Sequence, residues 1–450
     1  MKSIIAFIIL LSITSVVNHE KRDTGAVIRN GIVIDGTGKS TLRGYDILIE
    51  DGVIKQIGVG LKVARGVKVI DATGKTVIPG LIDMHGHMYA MGHTQLDAYP
   101  VLYIAGGVTT VFSPGEMEPE KTLELKGEIA RGERVGPDIL SAGPYFDSDP
   151  SLVSWMPVIK DTVGLAEIFE KWKGSMDGVK VYSKISREHF DFVIRKAKQH
   201  RLMITGHLGT LSTRYAVENG INGLEHGLLA VNDFGGDPNN PMVHSCHIGD
   251  LDLTRDDVMS LVQLIVNKNV YIDPTLVILE SYSSAFKPIV KDLDFFLDDD
   301  ATRIQQNYNQ WLATLYEKTC QDKQFRKQLE FCKLIFDKGG ILVAGTDPVS
   351  ANVLPGFGIK REIILFVQAG IPLAHAVKIA SLNAASVLGL SKQTGSIEVG
   401  KNADLSIVGG DVTKNSDYFY ATELTMKRGS IYESKPLLES MRDRVHTGYQ

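Results

Sequence analysis

Between residues 76 and 348 the sequence alternates short apolar runs, each closing on polar residues, with amphipathic stretches of helical period. Eight of these runs are candidate strands: 76–87, 109–115, 138–146, 178–184, 202–209, 223–227, 270–276 and 341–348. The spacing predicts helices over 186–200, 210–220 and 254–268, and Ile304, Tyr308, Trp311, Leu312 and Leu315 give an apolar helical stripe before the last run. Pro372 opens a further helix, through Ala376, Ala380 and Val387, that stops at Gly389. Strands alternating with helices over about 300 residues pair in parallel beneath helical layers. Eight such units fit an α/β fold of the (β/α)8 TIM-barrel kind with insertions. A doubly wound open sheet is the competing architecture, but no glycine-rich phosphate fingerprint follows the first run.

The flanks read differently. Residues 25–76 are short β-rich runs separated by turns, with Asn30-Gly31 and Asp51-Gly52 as hairpin signals. Residues 395–410 and 423–434 repeat that style near the other end, so the two patches are expected to pair into one small sheet domain. The expected division is a leader over 1–18, a composite β domain from 19–76 and 390–450, and the barrel over 77–389. In the leader, Lys2 precedes an apolar run from Ile4 to Val17, and a charged cluster follows from His19 to Asp23. The run is short of the roughly 20 residues that span hydrocarbon. It fits a secretory signal peptide, which predicts a periplasmic or secreted protein with no stable membrane span once the leader is removed. A buried N-terminal strand or a short anchor is the alternative.

Lys and Arg number 48 against 53 Asp and Glu, a net charge of −5, so there is no basic surplus with which to grip nucleic-acid phosphates. Three cysteines are too few for a disulfide framework or a zinc finger, although a bridge between Cys320 and Cys332 stays open.

The polar residues of interest stand at the C-terminal ends of the predicted strands, where a barrel carries its active site. His85-Gly86-His87 closes the first, His207 the fifth, His226 the sixth and Asp347 the eighth. Strand alternation sends residues i and i+2 to the same side, so both imidazoles are expected to face the barrel mouth. Lys180 lies inside the apolar fourth run, where an ammonium is expensive to bury. Singly each has a plainer reading: a core histidine, a turn cap before Pro348, a snorkelling lysine. Together, four His and one Asp at strand ends are the nitrogen and oxygen donors that suit zinc or a similar divalent metal.

With these motifs in place, the sequence resembles the metal-dependent amidohydrolase superfamily, in particular its imidazolonepropionase-like and prolidase-like members. The matching segments are VIPGLIDMHGH (77–87), GVTTV (107–111), GVKVYSK, TGHLG, GLEHG, DPTL, AGTDP, ASLNAASVLGL (380–390) and VGKNADL (399–405). The resemblance implies a distorted (β/α)8 barrel with a small β-sandwich built from both termini. It implies two divalent metal ions, zinc first among them: His85, His87 and Asp347 on the more buried one, His207 and His226 on the other. Lys180, carboxylated by CO₂ to a carbamate, would bridge them, with Lys184 as the competing bridge. It also implies hydrolysis of an amide C–N bond, linear or cyclic, by a hydroxide bridging the metals, with Asp347 as the catalytic acid–base.

Tyr182 shares a face with Lys180 and is a candidate substrate contact, with a packed barrel tyrosine as the alternative; His93, Tyr145 and Arg187 are placed on loops after the first, third and fourth strands, as further candidates or as plainly exposed residues. The stretch GPYFDSDPSLVSW (143–155) departs from the glycine- and histidine-rich segment of some prolidase-like relatives, and Lys360 stands where relatives often have His. The expected partner is a small amide or dipeptide-like molecule, with self-association into a homo-oligomer left open. Competing activities are an Xaa-Pro-type dipeptidase, an N-acyl amino-acid hydrolase and a lactone or phosphotriester hydrolase; a non-catalytic binding protein is the reading from another class.

Overall fold

The computed structural model describes residues 25–88, 98–148, 159–235, 246–285, 318–348 and 353–442. The leader, His93 and the stripe from Ile304 to Leu315 lie outside them.

Both ends of the described chain meet in one eight-stranded sheet. From the N-terminal side come β1 (Ala26–Val33), β2 (Leu42–Glu50), β3 (Val53–Gly58), β4 (Lys68–Asp71) and β5 (Thr76–Pro79). Asp51, at positive φ, makes the β2–β3 turn with Gly52. The strands β15 (Leu405–Val408), β16 (Thr422–Lys427) and β17 (Ser430–Glu433) come from the other end, giving the order β17-β16-β15-β5-β1-β2-β3 with β4 also on β1. The junction is β5 against β15, antiparallel from Pro79↔Leu405 to Thr76↔Val408. Its apolar side packs Ile28, Ile47, Val77, Leu405, Ile407 and Met426 into a core of its own.

The middle of the chain is an α/β fold of parallel sheets. One has the order β6 (Leu81–Asp83), β7 (Val108–Ser113), β8 (Asp138–Ser141). The other runs β9 (Tyr145–Phe146), β10 (Gly178–Val181), β11 (Met203–Gly206), β12 (Gly223–Glu225), β13 (Tyr271–Asp273) and β14 (Ile341–Leu342). Single backbone bonds tie the sheets at both edges: Met84 N–H to Ala344 O at 2.9 Å, and Asp177 N–H to Ser141 O at 2.7 Å. Each predicted run contains a strand, but two of them divide. Residues 76–87 split at Gly80, where a Cβ would come 2.3 Å from Thr109 Oγ1, so β5 joins the terminal sheet and β6 the parallel one. Residues 138–146 split at Gly143, which turns at φ 68° between β8 and β9.

Ile82, Phe112, Tyr271 and Val343 pack between the sheets against Ala384 and Ala385. Those two alanines belong to the helix that Pro372 caps, which runs through a π-helical segment, Ile379–Asn383, to Val387. This apolar cluster is separate from the polar side chains that follow β6, β12 and β14. Among the described residues no helix is long and apolar enough to cross a membrane. Cys332 is a buried free thiol, so it is not bridged to Cys320, which takes part in a disulfide.

Lys360, in the helix Gly358–Gln368, is fully buried. Its Nζ donates to Thr422 Oγ1 at 2.6 Å and lies 4.8 Å over the Phe357 ring, fastening the helix to β16. Burial pushes its ammonium down to about 7. Between there and the ordinary lysine value of about 10.4, the unfolded chain holds a proton that the folded chain does not. Stability therefore rises with pH across that window, and below it the whole cost of burying the charge is present. Lys360→Met is expected to raise Tm most at pH 6, with a gain that shrinks toward pH 10. Thermal melts showing the same gain at both pH values would rule out the buried charge as its cause.

Candidate metal centre

The centre is assembled where β6 ends. Asp83 Oδ1 accepts from the backbone N–H groups of His85 and Thr346, both at 3.1 Å, and Oδ2 accepts from the Thr346 hydroxyl at 2.6 Å. Burial pushes this carboxyl up to about 6 against those bonds. Asp347 N–H then donates to His85 O at 2.8 Å, so the segment after β14 is laced to the segment after β6. His85 and His87 are not strand residues, and strand alternation does not account for their placement. Instead Gly86 lets the turn press close: its N–H donates to Phe112 O at 3.0 Å, and a Cβ there would meet Val111 Cγ1 at 2.3 Å and Tyr103 Oη at 2.7 Å.

The four histidines form a continuous chain of rings. Centroids lie 5.3 Å apart for His87 and His85, 5.0 Å for His85 and His226, and 4.5 Å for His226 and His207. Asp347 faces three of them: its Oδ1 is 3.3 Å from His87 Nε2 and 3.7 Å from His85 Nε2, and its Oδ2 is 3.8 Å from His226 Nδ1. The last two are longer than hydrogen bonds. One donor atom each from His85, His226 and Asp347 falls within 4.8 Å of the others, a separation that ligands of one cation adopt. His226, Asp347 and Thr275, whose Oγ1 is 3.0 Å from His226 Nδ1, have φ values of 60°, 49° and 43°. Three non-glycine residues in this costly region, all beside one centre, are backbone strain held where side chains must be aimed.

His85 Nδ1 lies 2.9 Å from both Glu225 Oε2 and Asp273 Oδ2, which leaves Nε2 facing Asp347. Carboxylates on the far nitrogen fix the ring and its tautomer, the arrangement found behind metal-binding histidines. Burial pushes the His85 imidazolium down, which keeps the neutral ligand form. Burial works to raise Glu225 as well, but Lys180 and His85 outweigh it and hold its carboxyl well below the usual range. Asp273 is raised far above its ordinary value by burial and by Glu225, so the pair carries one negative charge.

Lys180 sits in β10 between Tyr145 and Thr205 on the neighbouring strands. Its Nζ is buried without a hydrogen-bond partner among the described residues, 3.8 Å from Glu225 Oε1. Burial pushes its ammonium down. The other expected residues divide. Tyr182 packs its ring 5.0 Å from His207 and 5.1 Å from Tyr145, beside the histidine chain. Lys184 lies past the strand, half-buried, and offers its backbone N–H to Asp147. The Arg187 guanidinium stacks 4.1 Å over Tyr215 instead of reaching the rings.

Asp83, Glu225 and Asp273 were not singled out in the sequence, although each is an acid in an apolar run, the same anomaly that marks Lys180.

A profile of the amidohydrolase family matches residues 76–431. The chain belongs to this family. Among amidohydrolase relatives, a dihydroorotase of Mycobacterium tuberculosis is 23% identical over 402 residues, 82% of this chain and 86% of that one. A dihydroorotase of Thermoanaerobacter sp. is 39% identical over 116 residues, so the chain spans about a quarter of that relative (26%). Among solved structures, a candidate prolidase from Bifidobacterium longum aligns at TM-score 0.70 and 19% identity, covering 94% of this chain and all (100%) of that one. A Xaa-Pro dipeptidase with bound methionine in its active site aligns at 0.67 and 20%, covering 91% and 100%. At these identities the structures speak to the fold.

The carboxylate behind His85 gives this amidohydrolase centre a direct test. Glu225→Gln is expected to weaken zinc binding about 10- to 100-fold, read by competition against a chromogenic chelator. Unchanged zinc affinity would separate Glu225 from ligand orientation.

Proposed function

We propose that the chain is a metal-dependent hydrolase of an amide C–N bond, linear or cyclic. The observation that carries this reading is the convergence of donor atoms from His85, His226 and Asp347, with His87 beside Asp347 and the His85 ring braced from behind by a carboxylate pair. We read the two parallel sheets as the wall of a distorted (β/α)8 barrel, and the terminal sheet as its small β-sandwich companion. The donor set fits divalent zinc: imidazole nitrogens, a carboxylate, and a buried Lys180 Nζ with no hydrogen-bond partner among the described residues. Carboxylation by CO₂ would turn that orphaned amine into an anionic oxygen donor. His85, His87 and Asp347 would hold one ion and His207 and His226 a second, with the Lys180 carbamate shared. Such ions supply Lewis-acid polarisation of a carbonyl and hydroxide at neutral pH.

The protein's own groups do the rest. Burial tends to raise Asp347, but His85, His87 and Lys180 outweigh it and hold its carboxyl at about 2. In this reading Asp347 takes a proton from the attacking water and hands it to the leaving nitrogen. Tyr182 and Tyr145 stand beside the histidine chain as an aromatic wall against which a substrate is oriented. The relatives named dihydroorotase support a cyclic amide; the Xaa-Pro dipeptidase neighbour supports a linear one. The leader motif supports export, and so does the Cys320 disulfide, since such bonds persist in oxidising compartments.

The deciding assay uses zinc-loaded, bicarbonate-supplemented protein on dipeptides, N-acyl amino acids and cyclic amides, with lactones and phosphotriesters as controls. Amide turnover is expected, and Asp347→Asn should lower kcat/KM by about 10²- to 10⁴-fold. Wild-type-like turnover in that variant would remove Asp347 from the proton path. Lys180→Ala is expected to retain less metal than wild type by elemental analysis; a full two-metal complement would shift the bridge to Lys184.

A further inference from the structure

Beyond the tyrosines lies a carboxylate that the centre does not use. Tyr145 of β9 is level with Lys180 of β10, and the pairing continues where Tyr182 N–H donates to Phe146 O at 2.9 Å. Asp147 follows at the C-terminal end of this ladder. It is 2% exposed; its Oδ1 accepts from Lys184 N–H at 2.9 Å, and its Oδ2 is buried with no hydrogen-bond partner among the described residues. The Tyr182 phenol is pushed up by burial, with the carboxylates of Asp347 and Asp147 adding to the effect. The backbone around Asp147 is pinned as well: Ser148 Oγ accepts from Ser186 N–H at 2.8 Å and pairs with His189 Nδ1 at 2.8 Å. Burial raises the Asp147 carboxyl to about 6 against backbone bonds from Ser148 and Lys184, which leaves it ionised at neutral pH.

A buried carboxylate with one oxygen unmet is costly to hold, and a fold keeps such a group where something meets it. Lys184 lowers its carboxyl through space, but the only bond this residue gives it is the backbone N–H to Oδ1. We propose that Asp147 is the recognition carboxylate for a cationic group, an ammonium or a guanidinium, carried by the amide substrate. This deepens the hydrolase reading and rests on it. Asp347 would act at the scissile amide, Asp147 would bind the charge some way along the substrate, and the faces of Tyr145 and Tyr182 between them suit a cation or its alkyl stem. The charge has two sources, a free amino terminus or a basic side chain, and both present the same N–H donors to Oδ2.

Two matched pairs of dipeptides distinguish them. Glycyl-leucine against N-acetylglycyl-leucine varies the terminal ammonium; N-acetylglycyl-lysine against N-acetylglycyl-norleucine varies the side-chain charge. Calorimetric titration into the zinc-loaded full chain is expected to show tighter binding of the charged member in one pair, by about 10- to 100-fold. Asp147→Asn should collapse that ratio to within a few-fold. Equal affinity within both pairs for wild type overturns the proposal without reference to the variant, as does a preference that survives Asp147→Asn in a protein that melts like wild type. Hydrolysis is followed separately on the same compounds. A charge preference in binding with no turnover of any amide supports the recognition site and sinks the hydrolase reading; turnover with no charge preference does the reverse.

Discussion

The candidate centre depends on how one imidazole is held. His85 enters from the end of β6, yet its Nδ1 is gripped by Glu225 and Asp273 from β12 and β13 of the other sheet. Its carbonyl accepts from Asp347 N–H on the segment after β14, and its own N–H is fixed by Asp83. A single residue is thus the meeting point of two sheets and three chain segments. Its free nitrogen has little choice of direction, because every other polar group of the residue is already committed. Preorganisation of this kind spends folding energy on aim.

The cost is visible in what surrounds it. Buried acids at Asp83, Glu225 and Asp273 and a buried amine at Lys180 crowd the interior, and three non-glycine residues sit at positive φ. The apolar cluster of Ile82, Phe112, Tyr271, Val343 and the paired alanines offsets such strain.

Much of the α/β organisation was legible from the text alone, because parallel strands buried on both faces must be written as apolar runs, and each of the eight runs holds a strand. Their C-terminal limits were overdrawn for a physical reason. Residues such as His85 and Asp347 leave the ladder to point inward, and an apolar pattern does not record where pairing stops. The four histidines stand out because imidazoles at strand ends are uncommon without a task. Glu225 and Asp273 did not, since their part is to hold another side chain, and only the fold reveals which one. The left-handed backbone at His226, Thr275 and Asp347 carries no signature either, as none is glycine or asparagine.

The division of the first apolar run at Gly80 has a kinetic side. β5 needs β15 as its antiparallel neighbour, and β15 is made only after the whole parallel region has been synthesised. The terminal sheet therefore closes last, with its N-terminal half waiting as an unpaired edge beside β5. Contacts between distant parts of a chain slow folding, so the final strands act as a clasp. A chain truncated before Leu405 leaves the ladder directly upstream of the His85 loop unclosed, however intact its own histidines are.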